Sequence, residues 1–121
     1  MEKIKFHNHS ENIQEIINKM PTIEEAGKLC DLFSLLSDST RLRILWLVCH
    51  TEECVTNIGA FVGMSAPAVS HHLRFLRHAG IIVNRKIGKE TYYRLADSDY
   101  ASLVHKMIDD AFHMECPEKG L

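Results

Sequence analysis

No apolar run in this chain approaches the roughly 20 residues that a bilayer-spanning helix needs. Its start, Met1-Glu2-Lys3-Ile4-Lys5, lacks the apolar stretch of a secretory signal. Both absences predict a cytoplasmic protein with no membrane partner. The four cysteines, at positions 30, 49, 54 and 116, form no CxxC pair. In a reducing compartment they read as core thiols or metal ligands rather than a disulfide scaffold. A glycine-rich phosphate loop and an HExxH metal-hydrolase motif are both missing, as are internal repeats and low-complexity tracts. Cys49-His50 and His71-His72 are sequence neighbours on predicted helices, so their side chains diverge by about 100° and make no nucleophile–base pair. A small metal-dependent enzyme therefore has thin support, and no organic cofactor is expected. What is present is 121 residues, 45% hydrophobic and 25% charged. That is a single soluble domain over 1–121, with residues 1–10 as a mobile arm and 116–121 as a loose tail. A chain this short buries a limited fraction of its surface, which makes dimerisation a natural supplement.

The formal net charge of −2 conceals a segregation. Between Ser65 and Leu95 stand Arg74, Arg77, Arg85, Lys86, Lys89 and Arg94 against the single acid Glu90, a local charge of +5, and the remainder carries −7. A basic segment in an acidic frame is the footprint expected of a surface that meets phosphate, although a solvated positive face is the common alternative.

The hydrophobic spacing predicts the following order. Ile13, Ile16, Ile17 and Met20 mark a first helix, interrupted at Pro21-Thr22. A second begins with Thr22 as cap and Glu25 three residues on, burying Ala26, Leu29, Cys30, Phe33 and Leu36. A third, capped within Ser37-Asp38-Ser39, buries Leu42, Leu45, Trp46 and Cys49 and reaches about His50. After a polar link, Thr51-Glu52-Glu53, a short helix spans about Thr56 to Val62 and stops at Gly63. Ser65 then caps a helix from Ala66 to His78, which Ala79-Gly80 terminates. Residues 81–86 and 90–95 are β-branched or aromatic runs joined by Ile87-Gly88-Lys89, which predicts a β-hairpin with a basic tip. A last long helix carries a broad stripe of Tyr100, Leu103, Val104, Met107, Ile108, Ala111 and Phe112, and such a stripe needs a partner.

Within the helix that Ser65 caps, Val69, Leu73 and Leu76 share the anchoring side, whereas Pro67, Ser70, His71, Arg74 and His78 share the other. An apolar face pinned by a preceding short helix, with polar residues outward, is the geometry that enters a major groove. Ser70 and His71 are suited to base edges, and Arg74 to a base or a phosphate. The amides at Ser65 and Ala66 lie at a helix N-terminus, which favours a phosphate oxygen. The hairpin sets Arg85, Lys86 and Lys89 beside this helix, with Tyr92 or Tyr93 offering a hydroxyl. The bland reading is a solvated histidine pair and a packed hairpin face.

The runs 36–45 (LSDSTRLRIL), 64–73 (MSAPAVSHHL), 76–82 (LRHAGII) and 88–95 (GKETYYRL) together resemble the ArsR/SmtB family of bacterial winged-helix repressors. The resemblance implies a mainly α fold with a small β-hairpin wing, a winged helix-turn-helix dimerised through its terminal helices. It further implies a homodimer that holds double-stranded operator DNA, represses transcription, and lets go when a metal ion or another inducer binds.

Two sensing sites follow from that resemblance. Metal-sensing relatives look like Asp-x-His near the start of the final helix and His-x-x-His or His-x-x-Glu near its end. The corresponding residues here are Asp97-Ser98-Asp99 and Asp110-Ala111-Phe112-His113. Asp99 and Asp110 lie about 16 Å apart along a helix, too far for one ion. Antiparallel pairing would let Asp97 and Asp99 of one subunit face Asp110 and His113 of the other. Three carboxylates and one imidazole are oxygen-rich for zinc, which is still the favoured ion, with cobalt, nickel or manganese as alternatives. The plain reading is solvated helix acids, with Asp97 as a cap. The second site would use thiolates: Glu52-Glu53-Cys54-Val55-Thr56 keeps one of two cysteines expected in soft-metal sensors, so Cys54 is a secondary candidate, completed by His7 or His9 from the N-terminal arm of a second subunit or by Cys30. A thiol redox or persulfide sensor using Cys49, Cys54 or Cys116 is the alternative within regulation, and a winged helix that has given up DNA is another.

Overall fold

The computed structural model describes residues 5–7, 9 and 11–113; the tail 116–121, with Cys116, lies outside them. The chain divides into two compact units, residues 1–31 and 32–121. In the first, α1 (Ile13–Asn18) is a helix of 6 residues. It is followed by the start of α2 (Ile23–Leu36). Thr22 and Glu25 form the expected reciprocal cap. The Thr22 amide donates to Glu25 Oε1 at 3.0 Å and the Glu25 amide donates to Thr22 Oγ1 at 3.1 Å.

The face expected to be buried on α2 is corrected. Ala26, Leu29, Cys30 and Phe33 are exposed, Leu36 is half-buried, and Leu32 is the buried residue. Leu32 lies one position before Phe33, so the packed edge is turned by about 100° from the apolar stripe. The stripe itself is left facing outward. Ile16 and Met20 of the first unit are exposed as well.

The second unit is built around α3 (Ser39–His50), whose Ile44, Leu45 and Val48 are buried while Leu42, Trp46 and Cys49 pack at the edge of the core. Asp38 is its N-cap, accepting from the Arg41 amide at 2.9 Å. That hydrogen bond holds the Asp38 carboxyl below the usual carboxylate range. Then come β1 (Glu53–Cys54), α4 (Val55–Val62), α5 (Ala66–His78), β2 (Ile82–Ile87), β3 (Glu90–Leu95) and α6 (Asp99–Ala111). The sheet is antiparallel with strand order β1-β3-β2. β1 falls within what the sequence reads as a polar link and the start of the next helix. Two residues show no alternation, and only the pairing of Glu53 with Tyr93 and Cys54 with Tyr92 makes them a strand.

The link between α4 and α5 is tight for a definable reason. Gly63 takes the left-handed conformation, with φ of 73°, and the Met64 amide donates to the Gly59 carbonyl at 2.9 Å. A Cβ on Gly59 would lie 2.6 Å from the Met64 carbonyl oxygen, which is backbone and cannot move aside cheaply. The α5 terminus is closed as a Schellman motif: Gly80 has φ of 79°, its amide donates to Arg77 O at 3.0 Å, and the Ile81 amide donates to Leu76 O at 3.2 Å. α6 is capped by Ser98, whose Oγ accepts from the Ala101 amide at 3.1 Å, so the cap is not Asp97. Ala101, Val104 and Ile108 enter the core; Tyr100, Leu103, Met107 and Phe112 do not.

Gly59→Ala is expected to lower unfolding free energy by about 1–3 kcal/mol, the usual effect of forcing extra volume into packed structure. Urea denaturation measures this, and an unchanged midpoint would show that the helix-turn-helix yields at no cost.

Candidate nucleic-acid interface

α5 is positioned by complete burial of one edge. Val69, Leu73 and Leu76 have no exposed surface, and α5 packs against α3, α4 and β2. Ser65 caps it by accepting from the Ala68 amide at 3.4 Å, with Pro67 in the first turn. Ser65, Ala66, Pro67, His71 and Arg74 are exposed and Ser70 is half-buried, as the helical spacing predicts for the outer face. A cavity of about 300 Å³ is lined by Ser70, Leu73, Arg74, Arg77 and Tyr93. It brings three of the expected DNA-contacting residues, Ser70, Arg74 and the wing's Tyr93, onto one surface. Tyr92 does not line this cavity.

The wing separates its basic residues into two kinds. Lys86 and Lys89 are exposed at the tip, and Gly88 makes the turn with φ of 64°. Arg85 is committed to Glu52, to which its Nε donates at 2.9 Å. The same carboxylate lies 3.7 Å from Arg94 Nε. The hydrogen bond to Glu52, and then its charge, holds the Arg85 guanidinium above its ordinary range. Arg85 thus fixes the wing to the segment before β1 while keeping a largely exposed side chain.

The two adjacent histidines have different environments. His71 is exposed and meets the Phe75 ring edge-on, with centroids 5.0 Å apart. His72 turns toward α3, where its Nδ1 accepts from Arg41 Nε at 3.3 Å. Arg41 also donates from Nη1 to the Leu35 carbonyl at 3.1 Å and lies over the Phe75 ring at 4.4 Å. Burial holds the His72 imidazole below the ordinary histidine range, opposed by the Asp38 carboxylate and aided by Arg41 and His71.

The metal-ligand candidates do not converge within one chain. Asp97 and Asp99 are exposed at the start of α6. Asp110 is exposed and accepts from Lys106 Nζ at 2.9 Å. His113, expected on the same helix face as Asp110, lies beyond the end of α6 with φ of 55°, because the helix ends at Ala111 before completing that turn. Cys54 is buried at the α4 N-cap and Cys30 is exposed. His7 and His9 are exposed, with ring centroids 5.4 Å apart.

Three residues outside the expected sets do converge: His50, His105 and Asp109. The sequence reading misses all three; the one local signal they carry is the i,i+4 spacing of His105 and Asp109 on a predicted helix. His50, 59 residues from Asp109, carried no local signal.

A helix-turn-helix with a polar face outward, flanked by an antiparallel wing, defines a winged helix-turn-helix DNA-binding regulator. Comparison with known proteins agrees. Residues 38–83 match the profile described as "Bacterial regulatory protein, arsR family". The chain is 32% identical to the "Transcriptional repressor SmtB homolog" of Synechocystis sp., over 84% of this chain and 76% of that protein. It is 38% identical to the "Arsenical resistance operon repressor" of Escherichia coli, over 69% and 72%. Its fold matches the solution structure of a homodimeric winged helix-turn-helix DNA-binding domain from Mycobacterium bovis with a TM-score of 0.62 at 19% identity, covering 93% of this chain and 100% of that one. The chain belongs to the ArsR family of bacterial regulatory proteins. It is a DNA-binding transcriptional regulator, not an enzyme. Among the described residues no helix is long and apolar enough to cross a membrane.

Because folding lowers the His72 affinity for protons, the unfolded chain binds more of them as pH falls below 6.5, the ordinary value. The residue's contribution to stability is therefore present above that pH and is lost as pH drops toward the lower folded value. His72→Gln keeps an acceptor for Arg41 without titrating. Thermal unfolding at pH 7.5 and 5.5 is expected to show a smaller acid loss for this variant than for the parent; equal losses would contradict the assignment.

Proposed function

We propose that the protein is a homodimeric repressor that occupies operator DNA through α5 and the wing and is released from it by a transition-metal ion. The observation that carries the DNA reading is the outer face of α5 with Tyr93 beside it. Ser70 and His71 read base edges, Arg74 reaches a base or phosphate, and the Ser65–Pro67 turn receives a phosphate oxygen. Lys86 and Lys89 follow the backbone from the wing tip, and Arg85 lies behind them on Glu52.

The dimer reading rests on exposed apolar surface: Leu103 on α6 is 61% exposed and Phe33 on α2 is 52% exposed. Apolar side chains at helical spacing on terminal helices suit a second copy of the chain. The Mycobacterium bovis domain of the same fold is homodimeric.

The effector reading rests on the family and on the exposed donors of α6. Asp97 and Asp99 of one subunit with Asp110 and His113 of the other form two symmetric sites, with zinc as the first ion to test. His113 is exposed just beyond the end of α6, where a partner chain can reach it. In this scheme metal binding and DNA binding oppose one another through the shared dimer, a coupling usually worth about 1–3 kcal/mol.

Two variants test these parts separately. Ser70→Ala/His71→Ala is expected to stay dimeric and lose operator affinity by about tenfold or more, since a good base contact contributes about 1–3 kcal/mol of discrimination; undiminished specific binding would refute the α5 assignment. Asp110→Ala/His113→Ala is expected to bind operator DNA normally and to remain bound when zinc, cobalt or nickel is added. Normal metal-induced release by this variant, in a fluorescence-anisotropy titration, would place the effector elsewhere.

A further inference from the structure

We propose that each chain carries a second divalent-metal site, formed by His50, His105 and Asp109 within the subunit, that clips the terminal helix α6 to the end of α3. His50 is the last residue of α3, and His105 and Asp109 are one turn apart on α6. His50 Nε2 lies 2.9 Å from Asp109 Oδ1, and His105 Nε2 lies 3.0 Å from Asp109 Oδ2. One ligand atom from each residue falls within 4.8 Å of the other two.

Three ligand atoms converge here, and the His50 ring is oriented by a backbone contact of its own. Its Nδ1 lies 2.6 Å from the Trp46 carbonyl oxygen, which can only accept, so Nδ1 carries hydrogen. Nε2 is thereby turned toward the Asp109 carboxylate, 2.9 Å from Oδ1. A proton on Nε2 makes this contact an imidazolium–carboxylate pair, and a divalent ion that displaces the proton takes up the same two groups together with His105. The Nδ1–H to carbonyl bond is the outer contact that orients a metal-ligating histidine and sharpens its donor. Trp46 and His105 hold the ring from two sides, with centroids 4.6 Å and 5.1 Å away.

The donor chemistry selects the ion. Two imidazoles and one carboxylate suit zinc, cobalt or nickel and are poor for magnesium or calcium. With metal–ligand bonds of about 2.0–2.1 Å a tetrahedral site has ligand separations of about 3.3 Å, within reach of a small turn of one imidazole. The fourth position is left to water. Side-chain exposure is 13% for His50, 17% for His105 and 11% for Asp109, enough for entry and enough enclosure to favour a bound cation. Asp110, the next residue, belongs to a different surface: it is exposed and held by Lys106.

The test uses the full chain freed of metal, with cobalt(II) as probe, in the Asp110→Ala/His113→Ala background so that the interfacial donors do not contribute. One cobalt per chain is expected, with visible ligand-field absorption and displacement by zinc, and with a higher melting temperature on metal addition. His105→Gln and Asp109→Asn are each expected to weaken cobalt binding at least tenfold and to abolish the melting shift; circular dichroism and operator binding without metal confirm that the variants are folded. Absence of cobalt binding in the background chain, or binding that both substitutions leave unchanged, overturns the site. Metal-induced loss of operator affinity is read separately, so failure of the interfacial effector and failure of this clip are distinct results.

Discussion

Everything this protein presents to DNA depends on the burial of one narrow edge of α5. Val69, Leu73 and Leu76 are wholly enclosed, and burying each such side chain is worth roughly 1.5–3 kcal/mol, so the helix has one stable rotation about its axis. That rotation decides which residues face outward. The close passage of Gly59 beneath the Met64 carbonyl fixes the angle at which α5 leaves α4, and Arg41, donating to His72 and Leu35 while covering Phe75, ties the helix to α3. The outer face is thus a consequence of packing on the inner one.

Charge is arranged by the same economy of elements. Glu52 precedes β1, and β1 exists by pairing with β3. Pairing carries Glu52 to Arg85 and Arg94, so two of the wing's basic residues meet an acid from outside the basic segment. The positive charge left for a phosphate backbone is concentrated at Lys86 and Lys89 on the tip and at Arg74 and Arg77 on α5. A count along the sequence assigns all of these residues to one patch; the fold divides them between anchoring and display.

The elements most legible in the sequence were those whose signals are local. The Thr22–Glu25 cap, the Ser65 cap and the Gly63 and Gly80 stops each depend on a few adjacent residues and are found where spacing places them, and the hairpin is found too, with Ile87 paired to Glu90 in the strand rather than in the tip. The faces of α2 and the extent of α6 were read less well. Periodicity counts apolar residues but does not say which neighbour will cover them, so it points to Leu29 and Phe33 where the core takes Leu32. The three-residue spacing of His113 from Asp110 fits a helical turn, but the backbone does not complete it.

The sequence by itself determined the helix-turn-helix, the wing and the polar face between them, because caps, glycines and periods of 3.6 and 2 are short-range properties of the chain. Tertiary structure alone decided the partnership of His50 with His105 and Asp109, the capture of Arg85 by Glu52 and the inward turn of His72. Each of these joins residues at least 31 positions apart, and no local propensity encodes a meeting that depends on how whole helices and strands pack.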